Sequence, residues 1–148
     1  MAFAMVTIRQ PLSIGAGHKT KYQNELREEA RTWFQSEEML DGYLYIRIIW
    51  FHRDRNPGDI DNIMKPIRDA LQGVIYLNDN LIVKSVSDRV RYTEGSYELI
   101  ANDEYKGSAY KKLDVLLGGD HKHVIYIEVD TMQVAPTRQV FFGPVDGV

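Results

Sequence analysis

Between Gly58 and Gly73 lies a segment whose pattern fits one kind of structure. Wound at about 100° per residue, Ile60, Ile63, Met64, Ile67, Ala70 and Leu71 fall within an arc of roughly 120°. Asp61, Lys65 and Asp69, each four residues after the last, lie along the opposite stripe with Arg68 beside them. One face of this helix must pack, and the other meets water or does chemistry. Pro66 sits inside the pattern, where it removes a backbone bond and crowds the preceding turn at a cost of about 3 kcal/mol. The expectation is therefore a kink, or a short first turn from about Ile60 to Lys65 followed by the helix proper, with Gly73 ending the element.

The flanking elements follow from periodicity and punctuation. Phe3 to Arg9 reads as a strand stopped by Pro11, and Leu12 to Gly17 as a loop. From Tyr22 to about Ser36, Tyr22, Leu26, Ala30, Trp33 and Phe34 recur at helical spacing, with Glu25, Arg27, Glu28, Glu29 and Arg31 at exposed positions. Tyr43 to Phe51 suits a buried strand because it is aromatic and β-branched. Val74 to Leu77 and Leu81 to Arg91 read as extended segments joined by a turn at Asn78-Asp79-Asn80. Tyr97 to Ala101 fits a strand and Ala109 to Leu117 a short helix. Val124 to Met132 is a strand with Ile125, Ile127 and Val129 opposed to Val124, Tyr126, Glu128 and Asp130.

The chain, 148 residues long, is of single-domain size. With 44% hydrophobic and 26% charged residues it is expected to fold. The lack of cysteine removes disulfides and thiolate zinc sites and fits a reducing cytoplasm. No signal-like apolar run opens the sequence, and the longest greasy stretch, Tyr43 to Phe51, is too short to span a bilayer. The formal net charge of −3 argues mildly against a nucleic-acid partner. Acids held at a metal would reverse that sign locally.

Three carboxylates near the helix point to such a metal. Asp59 and Asp61 stand at its entrance, where a turning backbone can direct two short side chains to one point, and Asp79 follows in the next turn. Magnesium takes oxygen ligands and only a few protein carboxylates, leaving water and phosphate to complete its shell. Lys65, one turn beyond Asp61, would reach developing phosphorane charge, and Asp69 would hold Lys65 or a metal-bound water. Singly, each residue also has a bland explanation: a helix cap, a surface ion pair, turn chemistry. A cap, however, needs one acid and not two.

The run Gly58-Asp59-Ile60-Asp61-Asn62-Ile63-Met64-Lys65-Pro66-Ile67-Arg68-Asp69-Ala70-Leu71-Gln72-Gly73, continuing to Asn78-Asp79, resembles the signature of the RusA-type Holliday junction resolvases. That signature is Asp-x-Asp-Asn, a lysine three residues on, Asp-Ala-Leu, a glycine and an acidic pair. The resemblance implies a homodimer of small α+β subunits that makes paired, symmetric nicks in four-way DNA junctions with magnesium or manganese. It makes Asp59, Asp61 and Asp79 the metal-binding acids and Lys65 the catalytic lysine, with Asn62, Asp69 and Asn78 around them. The chain departs from the pattern in three places. Asn78 stands where the first acid of the pair is frequent, Leu81 where glutamine is common, and Ser13 to Lys21 matches the basic amino-terminal loop poorly. Residues 97–119 read as an insertion, and 134–148 as a flexible or docking tail.

The expected architecture is α+β: a two-layer sandwich of a mixed sheet with helices mainly on one face, as a single domain over 1–148. The expected reaction is attack of a metal-activated water on a phosphodiester. Lys19, Lys21, Arg53, Arg55, Arg68, Lys84, Arg89 and Arg91 are candidate DNA contacts. His121 and His123 read as exposed residues ahead of a strand. The rival readings are a non-catalytic domain that binds branched DNA or another protein, and a metal phosphodiesterase acting on RNA or flap DNA.

Overall fold

The computed structural model describes residues 2–12, 19–53, 61–92, 97–133 and 140–144, with the backbone alone at 61 and 62. Strands β1 (Phe3–Thr7), β2 (Leu44–His52), β3 (Ile82–Arg91) and β4 (His123–Thr131) form one sheet in the order β1-β4-β2-β3. β4 pairs antiparallel with both β1 and β2, whereas β2 and β3 are parallel. Parallel neighbours need a crossover, and it is supplied by helix α2 (Asp61–Leu71). Helices α1 (Lys19–Trp33) and α3 (Ser108–Leu117) complete the α+β fold.

Strand alternation divides the core in two. On one face Leu44, Ile46, Ile48 and Trp50 of β2 meet Ile125, Ile127 and Val129 of β4, under Leu26 and Ala30 of α1 and Ile63, Ile67, Ala70 and Leu71 of α2. On the other, Val6, Phe51, Val124 and Tyr126 pack under Ala109, Leu113 and Leu117 of α3. Helices therefore lie mainly on one face, as expected, but α3 adds a partial third layer to the two-layer sandwich. The cause is β4: its outward positions Val124 and Tyr126 are apolar enough to require a cover.

Among the described residues no helix is long and apolar enough to cross a membrane. α2 runs unbroken from Asp61 through Pro66 to Leu71, so of the two expectations, a kink or a separate first turn, the second is not met. Pro66 forfeits the bond to the carbonyl four residues back, close to the helix start. The complete burial of Ile67, Ala70 and Leu71 outweighs that loss. Residues 97–101, expected as a strand, form no regular structure, and residues 103–105 make a single 3-10 turn. His123, expected in an exposed loop, begins β4 and is buried, its Nδ1 accepting a hydrogen bond from Trp50 Nε1 at 3.2 Å.

Ile67→Ala should lower stability by about 2–5 kcal/mol, because the cavity it leaves lies between a helix and a sheet that cannot readily close on it. The midpoint of urea unfolding checks this.

Candidate active site

The polar stripe of α2 stands beside the turn that carries Asp79, and the chain between them explains why. Gly73 leaves the helix with φ +86°, a left-handed conformation that favours glycine. Its N–H donates to the Tyr76 carbonyl at 2.7 Å, while the N–H groups of Val74 and Ile75 return to the Leu71 carbonyl at 3.1 and 2.9 Å. Buried Tyr76 then donates its hydroxyl to the Arg68 carbonyl at 2.6 Å. Burial pushes the ionisation of that phenol upward, which keeps it a donor.

Asp79 is held from three directions. Its N–H donates to Gln72 Oε1 at 3.1 Å. Arg68 Nη2 donates to its carbonyl at 3.3 Å and lies 3.9 Å from its carboxylate. The 3-10 turn Asp79–Leu81 that it opens is capped by Asn78, whose Oδ1 accepts from the Asn80 N–H at 2.9 Å. Asn78 thus makes an N-terminal cap that aspartate would make equally well, so its departure from the acidic pair leaves the turn intact. The other Arg68 nitrogen, Nη1, reaches Ser85 Oγ on β3 at 3.5 Å, so one guanidinium ties helix, turn and strand together.

Lys65, Arg68 and Asp79 line, with Met64, a cavity of about 320 Å3. Lys65 is largely exposed there, its ammonium 3.7 Å from the Asp69 carboxylate. The structure therefore brings together Lys65, Arg68, Asp69, Asn78 and Asp79. Asp59 lies outside the described residues, as do Arg55 and the side chains of Asp61 and Asn62; the backbone of Asp61 starts α2. Among the described residues no three His, Asp or Glu side chains gather in a group suited to a metal.

The basic candidates scatter. Lys19 and Lys21 are exposed in the first turn of α1, Lys21 lying 3.8 Å from Glu25. Arg53 stacks over the Tyr92 ring, 4.5 Å from its centroid, and donates to the carbonyls of Gly119 and His121, so it fastens a turn ahead of β4. On β3, Ser85, Ser87, Arg89 and Arg91 take the registers of Ile46, Ile48, Trp50 and His52 and so share the α2 side of the sheet. Lys84 pairs with Tyr45 and belongs to the reverse side.

Sequence reasoning missed Arg27 and Gln72. Arg27, expected on an exposed position, donates to the carbonyls of Ala70 at 3.0 Å and Asp69 at 3.2 Å, satisfying the last turn of α2 with a cation. Its long side chain at the edge of an amphipathic helix was the available signal. Gln72 gave none, since its partner is met only after the chain has turned.

With this geometry in view, the comparisons are decisive. The family model for endodeoxyribonuclease RusA matches residues 16–99, more than half of the chain. The chain belongs to the RusA endodeoxyribonuclease family. It is accordingly a nuclease, a hydrolase of DNA, and the matched span contains α1, β2, α2, the Asp79 turn and β3. No curated protein matches the chain.

Gly73→Ala should cost about 1–2 kcal/mol. A methyl group there meets no atom within 4 Å, so the loss comes from the backbone alone. Thermal unfolding of the variant measures it.

Proposed function

We propose that this chain is a magnesium-dependent resolvase of four-way DNA junctions that acts as a homodimer and makes paired, symmetric nicks. Membership of the RusA family supports the reaction class. The observation that carries the site assignment is Asp79, fixed beside Lys65 at the mouth of a cleft by Arg68, Gln72 and Asn78.

The donor chemistry fits a hard divalent cation. The Asp79 side chain is 34% exposed, and its nearest cationic partner stands 3.9 Å away, so its carboxylate can turn an oxygen to a new ligand. Asp59, Asp61 and Asp79 would hold magnesium, or manganese in its place, and the cation when bound would polarise the phosphate and acidify water.

The chain's own residues have separate tasks. Lys65, 76% exposed and restrained by Asp69, offers its ammonium to charge that develops on the phosphate. Arg68 is a positioning residue, because it grips both the carbonyl and the carboxylate of Asp79. Asn62, one residue beyond Asp61 at the start of α2, is assigned a supporting place near the acids. Arg89 and Arg91 follow Ser85 along the same side of β3 and would track the strand beyond the cut, and Lys19 and Lys21 would meet phosphates farther off. Two such sites related by a two-fold axis suit a symmetric junction.

A labelled four-way junction incubated with Mg2+ should be nicked at symmetric positions, and chelator should abolish cutting. A gel shift with no nicks under any divalent cation would leave a binding protein instead. Asp61→Asn should abolish cleavage while retaining junction binding. Arg68→Ala should raise the magnesium concentration needed for half-maximal nicking by about 10- to 100-fold, with the circular-dichroism spectrum unchanged.

A further inference from the structure

The sheet carries a second concavity on the side away from α2. It encloses about 540 Å3, within the range of small-molecule sites, between the outward residues of β2 and β3 and the segment 97–105. Its walls include Tyr45, Phe51, Tyr97, Tyr110 and Tyr126, with Arg47 among them. The family match ends at residue 99, so most of the covering segment and all of α3 lie beyond it.

This cavity is built by a buried polar network. Glu128, 9% exposed, accepts the Tyr45 hydroxyl at 2.6 Å, and its other oxygen lies 3.7 Å from Arg47 Nε. The hydroxyls of Tyr45 and Tyr105 are 3.1 Å apart, and Tyr105 donates to Asp130 at 2.7 Å. Burial first, and then the carboxylates, push Tyr45 upward and Tyr105 up to about 12, so both phenols remain donors. Tyr105 is thereby fastened to the sheet, and its segment forms a preformed wall. At the outer edge Tyr97 is 40% exposed, its ring centroid 6.1 Å from that of Phe51, and Ile100 is almost fully exposed.

Aromatic walls call for a planar ligand, and Arg47, whose side chain is 35% exposed, for a phosphate or carbonyl oxygen. Those demands meet in a nucleotide. Location adds a constraint. Asp88 on β3 lines the cavity, and Ser85, three residues earlier, touches Arg68 at the candidate active site. Ser85 faces the α2 side and Asp88 the reverse side of the edge strand β3, so a DNA strand leaving the active site would round that edge to reach the cavity. A branched substrate also offers bases whose unstacking costs less than in a continuous duplex.

We infer that this reverse-face cavity receives one unstacked base of the DNA branch being cut. The inference rests on the junction-cutting reading above, and it adds a base-holding subsite whose covering segment lies mostly beyond the family match.

The test uses the full chain with four-way junctions carrying 5-iodouracil at single positions one to six nucleotides either side of the nick. After irradiation, cross-links from one of these positions should map to peptides of residues 97–110. Tyr97→Ala, a change at an exposed edge, should weaken junction binding about tenfold, the loss of one stacked base, without altering the cut position. Cross-links confined to α2 and the Asp79 turn, or unchanged affinity in Tyr97→Ala, would overturn the subsite if metal-dependent nicking persists in the same samples. Loss of nicking under every divalent cation, with cross-links still at 97–110, would instead overturn the nuclease assignment and keep the subsite.

Discussion

The packing of α2 against the sheet is the contact on which the site depends. Ile63, Ile67, Ala70 and Leu71 are 0–1% exposed, and together they commit one face of an eleven-residue helix to the core. That commitment leaves the polar stripe no choice of direction: Lys65, Arg68 and Asp69 must face outward at the edge of the sheet next to β3. It also explains how a proline survives within the helix. A lost backbone bond of about 3 kcal/mol is smaller than the combined burial of four apolar side chains at about 1.5–3 kcal/mol for each large one.

A helix fixed in this way does not by itself bring Asp79 back to it. The return is made by a short series of hydrogen bonds, from Gly73 to Tyr76, from Tyr76 to the Arg68 carbonyl, and from Asp79 to Gln72. Arg68 closes the series by reaching Asp79 and Ser85 at once. The ion pair itself is partly exposed and weak. Its importance is geometric, since it sets the distance between helix and turn. Arg27 contributes from outside by satisfying the carbonyls at the end of α2, so that α1 and α2 are joined by polar as well as apolar contacts.

The two sides of the sheet have different characters for a reason visible in β4. Its inward residues Ile125, Ile127 and Val129 are purely apolar, whereas its outward residues change from Val124 and Tyr126 to Glu128 and Asp130. The apolar half attracts α3. The acidic half, nearly as buried, cannot stay unpaired, and Tyr45, Tyr105 and Arg47 gather to satisfy it. A cavity lined by phenols and one guanidinium is the consequence of covering half a strand with a helix and the other half with a loop.

Local pattern located the helices, the strand read as Val124 to Met132 and observed at His123–Thr131, the turn at Asn78 to Asn80 and the glycine that ends α2, because each is a local pattern of burial or backbone conformation. The motif from Asp59 to Asp79 was also legible as sequence and led to the family. Other features depended on residues far apart in the chain. The extended reading of 97–101 failed because those residues pair with no strand among the described residues, and the burial of His123 followed from Trp50, 73 positions away. Composition and spacing determined which side chains were available for chemistry and which faces had to be buried. Only the tertiary structure decided that Arg68 grips Asp79, that Arg53 fastens a turn, and that Glu128 lies among tyrosines, since hydrogen-bond partners are chosen by proximity in space and leave no period in the chain.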